Sequence, residues 1–169
     1  MNTATPSSQI LVIIGYIAML IGAIDPMEGS LAILPGSGLV LLGTYLSHSE
    51  RWLIIYRLWV FLMIAVGVAA LFGLTLVGGV GGTSGLSMWW GVLVLPYPIA
   101  WSVGIWSPAS PRWVLWFGIV IGVWYLAILV MTLKFTAGMD EGSTVGILIG
   151  IIGAMTISGC IYRLRKWNT

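Results

Sequence analysis

At 169 residues, 59% of them hydrophobic and only 7% charged, with a mean hydropathy of +1.06, the chain is too apolar to hide its nonpolar surface inside a soluble globule. Lipid must serve as its solvent. A net charge of +2 and a pI near 8.9 come without a basic stripe interleaved with aromatics, which excludes a nucleic-acid surface, and the single Cys160 excludes an internal disulfide and a zinc cluster.

Met1 to Gln9 carry no Lys or Arg, and the apolar run that follows ends at Ala23-Ile24-Asp25-Pro26 without a small-x-small cleavage site, so the first span is expected to be a permanent helix. Six apolar spans follow in order, at 8–24, 27–47, 53–77, 86–106, 113–134 and 143–162. At about 1.5 Å per residue each approaches the roughly 30 Å hydrocarbon thickness of a bilayer. The runs are continuous instead of alternating, which argues for helices and against a barrel. The expected fold is an all-α integral membrane protein, a six-transmembrane-helix bundle forming one domain over 1–169 with no soluble domain. The expected location is a prokaryotic cytoplasmic membrane.

Charge gives the orientation. Arg51, Arg57, Arg112, Arg163, Arg165 and Lys166 fall on one side of the six spans, with only Lys134 opposite, while Asp25, Glu28, Asp140 and Glu141 fall on the other side. Positive residues in short loops place the N and C termini in the cytoplasm.

Between the first two spans, Asp25-Pro26-Met27-Glu28 reads as a helix start: Asp as N-cap, Pro at the first helical position, Glu reaching back to the cap amide. Asp140-Glu141 can open the sixth helix in the same way. Capping explains both turns better than an outward-facing ion site. Asp25 with Glu28-Gly29-Ser30, and Asp140 with Glu141-Gly142-Ser143, form a short repeat that chance explains better than a parallel duplication.

In the second span Pro35 with Gly36-Ser37-Gly38, and in the fourth Pro96 with Pro98, are expected to interrupt the helices as structural kinks or as a gate. His48, the one histidine, sits near Glu50 and Tyr45 at the end of the second span, as a solvated interfacial residue or the one candidate cofactor ligand. Arg57, about a turn and a half inside the third span, is expected to snorkel to the headgroups. The run at 78–85 lacks the Lys-Ser/Thr ending of a phosphate loop and reads as a flexible link.

Tryptophans mark the boundaries. Trp52, Trp106, Trp113 and Trp167, with Trp59, Trp101 and Trp116, stand near the cytoplasmic face, and Trp89 and Trp90 near the outer one, as interface anchors. Small residues supply the packing: Gly118 and Gly122 on the fifth helix, and Gly146, Gly150, Ala154 and Ser158 on the sixth, predict a close contact between the two.

No catalytic residue, metal site or cofactor emerges, and bound lipid is expected. The residues point to a non-enzymatic structural or accessory subunit, with lipids and other integral membrane subunits, or further copies of itself, as partners. A small oligomeric transporter or channel lined by broken helices two and four is the alternative. A pigment- or cofactor-carrying subunit is the third.

Overall fold

A computed structural model describes residues 6–25, 28–79, 85–135 and 140–167, leaving aside the side chains of 88, 89, 135 and 140–145. Among the described residues there is no strand. The elements are α1 (Pro6–Gly22), α2 (Ser30–Leu46), α3 (Arg51–Leu76), a 3₁₀ helix η1 (Met88–Val94), α4 (Pro96–Ile105), α5 (Arg112–Phe135) and α6 (Asp140–Trp167). Three of them, α3, α5 and α6 from Gly146 onward, are long and apolar enough to cross a membrane; α1, α2 and Trp90–Ile105 are shorter apolar helices.

Local chemistry sets the ends. Beyond α3, Gly78 takes φ 95° and Gly79 donates its N–H to Leu74 O at 2.8 Å while Gly78 donates to Thr75 O at 3.1 Å. This paired closure satisfies two orphan carbonyls and needs a left-handed residue, which glycine supplies freely. His48 does the same at φ 49° after α2, with Ser49 N–H to Thr44 O at 3.5 Å and His48 N–H to Tyr45 O at 3.1 Å.

Two expected interruptions are corrected. α2 runs unbroken through Pro35, which is exposed, while Gly36 and Ser37 are buried. In the fourth span the prolines do not kink a helix; they begin one. η1 ends at Val94, and Pro96 and Pro98 occupy the first turn of α4, where a missing N–H forfeits no intrahelical bond.

The chain divides into two compact units, 1–104 and 105–169. In the first, α1 and α2 form an antiparallel hairpin. Its seam runs along Ser8, Val12, Gly15, Met19 and Gly22 on α1 and Gly29, Ile33, Gly36, Val40 and Gly43 on α2, alternating steps of four and three residues. The backbones nearly touch: a Cβ on Gly15 would stand 2.6 Å from Gly36 O, and one on Gly43 would stand 2.7 Å from Ser8 O. On α3, Gly67 gives the same close approach to Tyr97 of α4, and Trp101 of α4 donates its indole N–H to Met19 O at 2.9 Å. Met19 lies in the last turn of α1, so the indole supplies a donor that the helix itself cannot.

In the second unit α5 and α6 form another antiparallel hairpin with the same stepping, Gly118, Gly122, Tyr125, Leu129 and Thr132 against Gly146, Gly150, Gly153, Ile157 and Cys160. Repeats that alternate fours and threes average 3.5 residues per turn, the period that keeps one face of two helices in register.

Candidate functional site

The polar centre of the first unit is Arg57, in the second turn of α3. It is only 6% exposed. The expected snorkelling is corrected: the guanidinium turns inward, donating from Nη1 to Val40 O at 3.2 Å and to Thr44 Oγ1, and from Nη2 to the Tyr16 hydroxyl at 3.3 Å. Its carbon Cζ also lies 5.7 Å from the Tyr16 ring centroid. Thr44 in turn donates to Val40 O at 2.7 Å. One side chain thus ties three helices, its N–H groups taken up by acceptors on α1 and α2. Arg57 Nε is buried and has no partner among the described residues.

Other hydroxyls are turned back upon their own helices. Thr132 donates to Ile128 O, Thr156 to Ile152 O and Ser158 to Ala154 O, each at 2.8 Å. Such i to i−4 bonds hide a donor from an apolar solvent.

The acidic turn before α2 does not cap it as expected. Asp25 accepts the Glu28 N–H at 3.4 Å, as a capping side chain would, but α2 starts only at Ser30 with Gly29 as its N-cap and no side-chain cap bond. The exposed carboxylate closes the preceding turn; Pro26 and Met27 lie outside the described residues. α6 opens at Asp140 itself, placing Asp140 and Glu141 in its first turn, though their side chains lie outside the description.

His48 is an exposed turn residue with Nδ1 3.1 Å from Leu46 O. The neighbouring Glu50 carboxylate accepts the Trp52 indole N–H. Among the described residues no three His, Cys, Asp or Glu side chains converge as metal ligands.

The fifth and sixth helices meet where glycine permits. A Cβ on Gly122 would stand 2.6 Å from Ile157 Cγ1 and 2.9 Å from Gly153 O, and one on Gly118 2.9 Å from Cys160 Sγ. Gly150 faces Leu129 and Gly146 faces Thr132. Ala154 and Ser158 do not belong to this seam; both are exposed, because the line of contact follows Gly150, Gly153 and Ile157. Pairs of small residues four apart do not single out Gly153. The signal for the α1–α2 seam is the strict interval of seven at which Gly15, Gly22, Gly29, Gly36 and Gly43 recur, which pairs four apart do not show.

The tryptophans divide. Trp52, Trp90 and Trp167 are exposed, Trp113 is half-buried with its ring edge-on to Phe117 at 6.3 Å, and the side chain of Trp89 lies outside the description. Trp106 packs against Gly159, its Cε3 0.9 Å from where a Cβ would stand. Trp101, placed near the boundary by sequence, is instead a core residue, 2% exposed. Trp116, Trp59 and Trp124 are exposed.

Comparison with known proteins adds no relative: no family model, curated protein or solved structure matches the chain.

Proposed function

We propose that the chain is a six-span integral membrane protein with both termini in the cytoplasm, and that it works as a non-catalytic structural or accessory subunit binding lipid and neighbouring helices. The observation that carries this is an inverted distribution of polarity. Ser8, Ser30, Ser37, Thr44 and Arg57 are buried, whereas Ile10, Ile14, Ile17, Ile21, Leu31, Trp59 and Val66 are exposed; in the second unit Trp116, Val120, Val123 and Met131 are exposed in the same way. Apolar surface on this scale needs lipid or another helix to cover it. Arg57, the most deeply buried charge among the described residues, spends its donors within the protein, which fits a brace better than a transport site.

Purification in mild detergent with native mass measurement and an absorption spectrum tests the proposal. A colourless protein in fixed stoichiometry with a second integral membrane subunit is expected. A lone oligomer that carries solute across liposomes would overturn it in favour of a transporter, for which the break at Leu95 between η1 and α4 is the supporting feature. A visible chromophore lost in His48→Ala would instead favour a cofactor carrier.

A further inference from the structure

The second unit holds a recess of about 250 Å³ between the loop that precedes α5 and the last turns of α6. Its polar wall is Ser107, Ser110, Arg163 and Lys166, and its apolar wall is Pro108, Leu115 and Trp167. Arg163 is fixed by a bond from Nε to Trp106 O at 3.1 Å, and the half-buried guanidinium lines the recess. Ser110 donates to Ser107 Oγ at 3.2 Å, and both residues are buried. Arg112 packs over the Trp167 ring with Cζ 5.1 Å from its centroid, adding a third cation at the rim.

Among the described residues no carboxylate side chain lines this recess. The acids of the unit, Asp140 and Glu141, begin the same helix that Arg163 and Lys166 end; 22 residues separate Glu141 from Arg163, about 33 Å along the axis. The recess is also smaller than the roughly 300 to 1,000 Å³ typical of drug-sized ligands, which suits a group the size of a phosphate ester. Exposed Trp116, Phe117 and Ile161 lie one to two turns further along α5 and α6, on their apolar stretches, while Arg165, Lys166 and Trp167 are exposed at the end. That is the level at which a lipid phosphate stands when its acyl chains follow the helices.

We propose that this recess binds the phosphate group of an anionic phospholipid, with Arg163 and Lys166 as its charged ligands. The proposal rests on the membrane reading above. Carbonate extraction of the full chain tests that reading separately: release from the membrane fraction would sink the membrane assignment, whereas retention leaves the site to be judged on its own.

The site is tested by native mass spectrometry of the full-length protein in detergent, titrated with phosphatidylglycerol, phosphatidylcholine or inorganic phosphate. Tighter binding of phosphatidylglycerol than of phosphatidylcholine is expected, weakening with salt. In the double variant Arg163→Gln with Lys166→Gln, affinity for phosphatidylglycerol falls about tenfold or more, while Arg165→Gln, outside the recess, changes it less than about twofold. Equal affinity for the two lipids in the wild type overturns the proposal and needs no variant to fold. Equal losses in Arg165→Gln and the double variant also overturn it, since they mark a diffuse charge effect. Retention of inorganic phosphate that the double variant abolishes, without a preference between the lipids, reassigns the recess to a soluble phosphate and overturns the lipid source.

Discussion

A buried arginine is costly in a bilayer unless the protein supplies what water would. Arg57 receives a helix carbonyl, two hydroxyls and an aromatic face from α1 and α2. Removing its partner is therefore expected to cost more than removing an ordinary hydroxyl. Thr44→Val should lower apparent stability in detergent, and lower it less in an Arg57→Met background; the coupling in a double-mutant cycle is expected at about 0.5 to 1.7 kcal/mol. Additive effects within about 0.3 kcal/mol would show that the guanidinium does not depend on the hydroxyl. Arg57→Lys keeps the charge but loses the planar fork that reaches α1 and α2 together, so it should resemble Arg57→Met in stability more than wild type.

At the scale of elements, the hairpins are held by absence of side chains. Hydrophobic force does not drive helices together in lipid, so close backbone approach and dispersion must do so. Gly122→Leu is expected to separate α5 from α6, with a loss of about 1 to 3 kcal/mol, and Gly36→Val to do the same to α1 and α2. Ala154→Leu, on the exposed side of α6, is expected to stay within about 0.5 kcal/mol of wild type. Thermal unfolding in one detergent checks all three, and an unchanged Tm for Gly122→Leu would refute the seam. The glycine spacing was present in the sequence, but a pattern of pairs four apart selects Ala154 and Ser158 as readily as Gly153. Only the opposing helix distinguishes them, because both faces of α6 carry small residues.

For the whole molecule, the proposed orientation makes a prediction that the two units test independently. In a Cys160→Ala background, Ala109→Cys should react with an impermeant maleimide only from the cytoplasmic side, and Ser87→Cys only from the outside. Both native residues are exposed, whereas Ser110 is 1% exposed and a poor reporter. Labelling of both from one side would overturn the six-span scheme, since an odd number of crossings must lie between them.

The continuous apolar runs by themselves determined that the chain is helical and apolar enough for lipid, and the polar bends separated most of its elements, whereas the prolines did not show where helices break. These are local properties: a continuous apolar run satisfies its own backbone only as a helix, wherever the rest of the chain lies. The tertiary structure decided which way Arg57 turns, which indole is core and which glycines touch. Arg57 meets Tyr16 across 41 residues and Trp101 meets Met19 across 82, so no local pattern carries either contact. The same limit explains the prolines. Whether Pro96 breaks a helix or begins one depends on η1 ending before it, while α2 continues through Pro35, an exposed residue. A charge or a proline shows in sequence what it costs; its neighbours in space decide how that cost is met.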